Sequence, residues 1–246
     1  MIVKRLIIPL SVLFILASCK KGNSSASGNA GKLKTYIEDV QTTYTHETDT
    51  FAVTYDNDDR IISLASPILK FQYTYHATSF TLDLYENNRL SIHEISYLNS
   101  IPLVDSTFQF NDTNDSTTEK YAYSGNLLTR KTAYSYSTGN ITVDTRDDYT
   151  YDNNGNMVQD VQTDGQANVN AITTYTYTTI PLSVTVNPIY FPQQSKYFPA
   201  TEKQMDGNGS VIAAITYTYM FDSGGRVVKE TDTIEGVGTA IKTYIY

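Results

Sequence analysis

The sequence is poor in the residues that build most reactive sites. It has no tryptophan, only three histidines (His46, His76 and His93) and a single cysteine, Cys19. A lone cysteine excludes a disulfide bond within the chain. No histidine has a second ligand at the spacing typical of a zinc site. The composition therefore excludes a disulfide scaffold and gives no sign of structural zinc.

Catalytic motifs are also missing. The chain has no Gly-x-Ser-x-Gly elbow and no glycine-rich phosphate loop. Aspartates cluster within residues 56–59 and 112–115, but neither cluster has the glycine and the distal glutamate of a calcium loop, so turn chemistry explains them better. The sequence nominates no catalytic residue, metal ligand or cofactor. We therefore predict a protein that is not an enzyme.

Long apolar runs are limited to one short segment near the N-terminus. Residues 6–16 are nearly all apolar and follow the basic pair Lys4 and Arg5. This run is too short for a transmembrane helix but is typical of a signal peptide, which we place at residues 1–18. The tetrapeptide Leu16-Ala17-Ser18-Cys19 resembles the bacterial lipobox. The resemblance implies cleavage before Cys19 and acylation of its thiol, for example by palmitate.

A tether and one domain follow. Residues 19–34 are rich in Gly, Ser, Asn and Ala, which predicts a flexible lipidated linker. Residues 35–246 are predicted to form a single β domain. The formal net charge of the chain is −8, and an acidic surface repels phosphate backbones, so nucleic acid is an unfavourable partner. The acyl chain predicts a membrane partner and a cell-envelope location, outer-membrane-anchored and facing either the periplasm or the outside.

One turn pattern recurs along the domain. An aromatic residue precedes an Asp-like residue, two or three turn residues and then two apolar residues, at positions 55–62, 151–158 and 221–228. Degenerate copies lie at positions 85–90 and 123–128, and a variant that begins with Met205 lies at positions 205–212. Asp and Asn bond their own backbone in turns, and Gly or Asn accepts the positive φ that tight hairpin loops need. The pattern predicts successive β-hairpins.

The segments between these turns alternate in polarity. Ile215, Tyr217, Tyr219 and Phe221 share one face, with threonines on the other. Counting turns predicts an all-β antiparallel meander of about 12–14 strands. A sheet of that size is expected to curl strongly or to close into a flattened barrel whose facing walls pack together. A membrane-spanning barrel is the alternative, and the Thr, Ser, Asp and Lys of the second face argue against it.

The best copies of the turn pattern resemble the tyrosine–aspartate (YD, Rhs-type) repeat. They are Tyr149-Thr150-Tyr151-Asp152-Asn153-Asn154-Gly155 and residues 219–226. The whole chain resembles uncharacterised Gram-negative lipoproteins built from this unit. The resemblance implies a hairpin fold and no specific activity.

Prolines interrupt the pattern between residues 181 and 199. Because proline cannot donate to a central ladder, this region is predicted to be an edge, a crossover or a long loop. It carries Tyr190, Phe191, Tyr197 and Phe198 as candidate binding residues. The alternative is that these rings cover one end of the core.

The leading functional hypothesis is a non-catalytic binding or scaffolding lipoprotein. Its expected partner is a glycan or another envelope protein, because tyrosine suits both sugar stacking and protein contact. Two alternatives stay open at this point. One is an envelope hydrolase that uses carboxylates in a concave sheet face, and the other is a purely structural spacer.

Overall fold

The computed structural model describes residues 31–111, 116–137, 140–182 and 195–246. These residues form sixteen β-strands, and no helix among them is long and apolar enough to cross a membrane. The strands are β1 (Thr35–Thr42), β2 (His46–Tyr55), β3 (Ile61–Ala65), β4 (Leu69–Tyr75), β5 (Ser79–Glu86), β6 (Arg89–Leu98), β7 (Val104–Asn111), β8 (Ser116–Ser124), β9 (Leu127–Ser137), β10 (Asn140–Tyr151), β11 (Met157–Asp164), β12 (Val169–Pro181), β13 (Tyr197–Asp206), β14 (Val211–Phe221), β15 (Val227–Ile234) and β16 (Gly238–Ile245).

Each strand pairs antiparallel with the next, and β16 pairs with β1 to close a barrel. The closing ladder sets Tyr36 opposite Tyr244 and Glu38 opposite Lys242. The predicted all-β antiparallel meander and its closure are therefore confirmed. The strand count is higher than predicted because the connections at residues 43–45, 66–68 and 76–78 have no Asp-x-x-Gly signature, so the sequence does not mark these turns.

The two ends of the barrel differ. The terminal rim is the end at which β1 begins and β16 finishes, where Lys34 N donates to Ile245 O at 2.7 Å. It also carries the turns at residues 56–60, 152–156 and 222–226. The far rim is the opposite end, where β1 turns into β2. The segment that leads to the predicted lipid anchor therefore enters the barrel at the terminal rim.

The Asp-rich turns share one hydrogen-bond pattern. In the turn at residues 152–156, Asp152 Oδ1 accepts from the backbone N–H of Asn154 at 2.8 Å and of Asn156 at 2.9 Å. Gly155 adopts φ +81°, which an L side chain rarely tolerates. The same bonds recur at the turns that begin with Asp56, Asp164, Asp206 and Asp222. The recurrent aspartate is therefore a turn-forming residue.

The tyrosine before such a turn has its own role. Tyr151, at the end of β10, donates its hydroxyl to the carbonyl of Leu128 at the start of β9, at 2.8 Å. This tyrosine clamp joins strand ends at the terminal rim in six hairpins, and its other donors are Tyr55, Tyr75, Tyr123, Tyr177 and Tyr219. In the dipeptides Tyr55-Asp56 and Tyr151-Asp152, the tyrosine is a strand clamp and the aspartate begins the turn that follows.

The clamp predicts a stability loss on removal of one hydroxyl. Tyr151→Phe keeps the ring but leaves the Leu128 carbonyl without its donor, so we expect the free energy of unfolding to fall by about 1–2 kcal/mol. Urea denaturation measures this change. Tyr97→Phe is the matched control, because Tyr97 lies on the outer face with an exposed side chain, and its loss should stay below about 0.5 kcal/mol. Equal losses in the two variants would contradict the clamp.

The inner wall carries a buried apolar cluster on part of the barrel. It includes Phe51 on β2, Phe80 on β5, Val104 on β7 and Phe198 on β13. Aromatic rings of neighbouring strands touch in it, with Tyr36 on β1 and Tyr244 on β16 5.6 Å apart between centroids. Burial of these side chains on the inner face stabilises this part of the wall.

The outer wall is polar, as the sequence predicts. Thr48, Thr50 and Thr54 face outward on β2 and are exposed. Charged pairs also lie at mid-strand positions, for example Arg130 Nε at 2.6 Å from Asp148 Oδ1.

The structure describes only the two ends of the proline region. Pro181 ends β12 and Pro199 lies within β13, so both are part of the ladder. Residues 183–194 lie outside the described residues, and the predicted edge, crossover or long loop stays a prediction there. The two prolines are tolerated because the pairing of these strands is irregular there, with register shifts on both sides of Tyr177. The carbonyl of Pro199 still accepts a clamp from Tyr219 at 3.0 Å.

Candidate functional site

A notch lies at the terminal rim between β11 and β12. The ladder between these strands ends at Gln159 and Thr174, whereas β12 continues to Pro181. The strands therefore separate, and a cavity of about 360 Å³ lies between them. It is lined by Asp152, Asn154, Asn156, Val158, Tyr175, Thr176, Tyr177, Thr178, Thr179 and Tyr197.

Asn156 fixes the wall of the notch. Its side chain is buried, its Nδ2 donates to Asp152 Oδ2 at 2.9 Å, and its Oδ1 accepts from Lys196 N at 2.9 Å. The second bond ties the start of β13 to the turn and so positions Tyr197 at the mouth. Hydrogen bonds from the side chain and backbone of Asn156 lower the pKa of Asp152, so the notch holds a carboxylate at neutral pH.

The predicted binding residues lie in different environments. Tyr197 lines the notch and is half-buried. Phe198 is fully buried against Tyr219, with ring centroids 4.6 Å apart, so it packs in the core as the alternative interpretation held. Tyr190, Phe191 and Cys19 lie outside the described residues. Binding at Tyr197 and acylation at Cys19 stay predictions.

A second feature is an exposed apolar surface on the outer wall near the far rim. We call it the aromatic face, and it comprises outward side chains of neighbouring strands β7 to β10: Phe108, Phe110, Tyr134, Tyr136, Ile141 and Val143. The rings of Phe108 and Phe110 meet edge to face at 4.5 Å. Ile141 is 62% exposed and Tyr136 46% exposed. Exposed apolar clusters of this kind mark contact surfaces.

Cations border the aromatic face. Lys120 Nζ lies 5.8 Å from the centroid of the Tyr134 ring. Arg130 and Arg146 follow on β9 and β10, and both contact Asp148, at 2.6 and 3.0 Å. Aromatic residues with arginine are the composition that distinguishes protein interfaces from other surface. The sequence alone does not predict this face, because Phe108, Tyr134 and Val143 alternate with polar residues as buried strand residues do.

A third feature is buried charge inside the barrel. On β15 and β16, Lys242 Nζ lies 2.8 Å from Glu230 Oε1 and 2.7 Å from Asp232 Oδ2, and all three residues are buried. Tyr244 also donates to Glu230, at 3.1 Å. Burial lowers the pKa of Lys242, but the charges of Glu230 and Asp232 outweigh it and raise the pKa overall. The lysine is therefore ionised in the folded protein.

A similar group lies on the opposite side. Lys131 contacts Asp147 at 3.2 Å and Glu119 at 3.5 Å. Burial, aided by the charge of Glu119, raises the pKa of Glu94 to about 7. Burial, aided by the charge of Asp147, likewise raises the pKa of Asp160 to about 7. The interior thus combines paired ions with carboxyl groups that are largely protonated below neutral pH.

The positions of the acidic and histidine side chains bear on metal binding. Within the described segments, no group of three or more His, Cys, Asp and Glu side chains is placed to hold a metal ion. The aspartates near residue 56 make turn contacts instead, with Asp56 Oδ2 accepting from Arg60 Nε at 2.7 Å and Asp59 contacting Lys32.

Comparison with known proteins gives the fold. No protein-family model and no curated protein matches the sequence. A porin-like protein from Bacteroides uniformis ATCC 8492 matches with a TM-score of 0.63 at 12% identity, over 87% of this chain and 96% of that chain. A porin-like protein from Bacteroides vulgatus ATCC 8482 matches with a TM-score of 0.63 at 11% identity, over 87% of this chain and 98% of that chain. At this identity, the chain shares a barrel fold with these two proteins.

Proposed function

We propose that this chain is a non-catalytic scaffold of the cell envelope, held at a membrane through acylated Cys19 and bound to another envelope protein through the aromatic face. The observation that carries the proposal is that Phe110, Tyr136 and Ile141 are all exposed and lie close together on neighbouring strands. The barrel likeness to two porin-like proteins and the lipobox-like tetrapeptide support the envelope location. Kinship with YD-repeat lipoproteins is part of the same proposal.

A protein partner suits this face better than a glycan. Sugar rings stack on aromatic faces and bond to polar groups, whereas Ile141 and Val143 offer only aliphatic surface. Aliphatic and aromatic side chains bordered by Lys120, Arg130 and Arg146 match the apolar core and charged rim of a protein interface. The face also lies toward the rim opposite the tether, so an anchored barrel would present it away from its attachment point.

Site-specific photocrosslinking in intact cells tests this function. A photoreactive residue at Tyr136 is expected to capture one dominant envelope protein, and the same residue at Thr231, on the outer wall of β15, is expected to capture none. Ile141→Ser combined with Phe110→Ser should lower the captured amount at least tenfold, since each anchor contributes about 1–2 kcal/mol. Equal capture at positions 136 and 231 would refute the proposal.

Membrane attachment through Cys19 is tested separately, by cell fractionation. Cys19→Ser should move the protein from the membrane fraction to the soluble fraction of the envelope. Recovery of the wild-type chain in the soluble fraction would contradict the anchor. The proposal for the aromatic face would still be tested by crosslinking.

A further inference from the structure

Three terminal-rim tyrosines are covered by a cation from the chain itself. The Arg60 guanidinium lies 4.6 Å from the ring centroid of Tyr75, and the Arg226 guanidinium lies 4.4 Å from that of Tyr246. Lys32 covers Tyr55 at 5.2 Å. Each cation lies over a ring face within the range of cation–π attraction.

The two arginines come from one position of the turn. Arg60 is the fifth residue of the turn that begins with Asp56, and Arg226 is the fifth residue of the turn that begins with Asp222. Both guanidinium groups bond the aspartate Oδ2 at 2.7 Å through Nε and lie 2.7 Å from it through a terminal nitrogen. The turn and the following tyrosine therefore form a repeated guanidinium subsite.

The notch has the same turn and following tyrosine, but the fifth residue of its turn is shorter than arginine. Its turn begins with Asp152, its fifth residue is Asn156, and its clamped tyrosine is Tyr177, which bonds Met157 O at 2.5 Å. Asn156 gives Asp152 Oδ2 one donor, whereas each arginine gives two nitrogens. Among the described residues no cation covers the Tyr177 ring. The cavity of about 360 Å³ is lined by both Asp152 and Tyr177, the counterparts of the aspartate and the tyrosine that hold each guanidinium in the other copies.

We propose that the notch binds a guanidinium group from outside the chain, stacked on Tyr177 and bonded to the Asp152 carboxylate. Tyr197 supplies a second ring at the mouth, and Asn154 supplies an exposed amide. The nearby Lys196 does not compete, because its ammonium lies against Gly155, and Lys196 does not line the cavity. The source is either a free guanidinium compound or an arginine side chain of a peptide.

Titration with L-argininamide and L-citrullinamide tests the site. The two probes have nearly the same shape and differ in the side-chain charge, so the full chain carrying Cys19→Ser should bind L-argininamide at least about tenfold more tightly. Asn156→Arg should reduce L-argininamide binding by at least about tenfold, because its own guanidinium would fill the notch as Arg60 fills its subsite. Ser210→Arg is the matched control, since it adds the same charge at the fifth position of a far-rim turn and should leave binding unchanged.

Two further measurements complete the test. NMR shift changes on L-argininamide addition should centre on Tyr177 and Asn154 in the unsubstituted notch, which locates the binding site even where Asn156→Arg does not fold. Tighter binding of acetyl-Gly-Arg-Gly-amide than of L-argininamide identifies a peptide as the source, and the reverse order identifies a small molecule. Equal affinity for L-argininamide and L-citrullinamide, or shifts centred elsewhere, would overturn the proposal.

Discussion

Lys242→Met is expected to lower the free energy of unfolding by about 3–5 kcal/mol at neutral pH. The ammonium neutralises two carboxylates, Glu230 and Asp232, that are themselves buried. Methionine matches the length of the lysine stem, so packing changes little and the loss reports the charge. Removal of one partner of a buried ionic group is costly because the remaining charge stays out of water without compensation. Urea denaturation followed by circular dichroism measures the change.

The controls for Lys242 separate burial from charge. Lys203→Met removes a lysine from the outer wall, where it is exposed, and should change stability by less than about 0.5 kcal/mol. Adding Glu230→Gln and Asp232→Asn to Lys242→Met should recover much of the loss, since no buried charge would remain. A triple variant as unstable as Lys242→Met would assign the effect to packing instead.

The barrel is expected to be more stable near pH 5 than near pH 8. Burial raises the pKa values of Glu94 and Asp160 to about 7. Between the ordinary carboxyl range and neutrality, the folded state therefore holds more protons than the unfolded state, and stability falls as pH rises through this window. With two such groups we expect a difference on the order of several kcal/mol.

The opposite trend should appear at lower pH. Hydrogen bonds within the turns lower the pKa values of four aspartates: Asp56, Asp152, Asp164 and Asp222. The ionised aspartates therefore stabilise the fold above the ordinary carboxyl pKa, and this stabilisation is lost as pH falls below it. Stability should therefore pass through a maximum in mildly acidic solution.

Two amide variants test the pH dependence. Asp160→Asn and Glu94→Gln together should flatten the decline between about pH 5 and pH 8, because neither replacement can ionise. Asp160 Oδ1 is buried with no hydrogen-bond partner among the described residues, so its ionisation is especially unfavourable. Urea midpoints across the pH range measure the curve, and an unchanged decline in the double variant would assign it to other groups.

Local chemistry is what the sequence could predict. Tyr151 and Asp152 stand in a pattern that signals a strand end and a turn, and the structure places a strand end and a turn there. Alternation at Tyr217 and Tyr219 likewise predicts an inward face, and both rings lie inside. Such signals depend on neighbours within a few residues, so a single sequence is enough to find them.

Long-range pairing is what the sequence could not predict. Nothing near Lys242 indicates that Glu230 and Glu38 will flank it, because that requires the registers of β15, β16 and β1. One feature of the sequence could have predicted the notch. Asn156 stands where Arg60 and Arg226 stand in other copies, and a shorter side chain at a repeated position predicts space.

The β1–β16 seam has a consequence for how the chain assembles. Every other ladder joins consecutive strands and can form as soon as the second strand is available, whereas Tyr36 meets Tyr244 only after all the intervening hairpins are in place. Until then β1 presents an open edge capable of pairing with another chain. Because β1 is available before β16 in a chain that emerges from its N-terminus, its edge stays unprotected until the last strand pairs with it, and this step is exposed to misassembly.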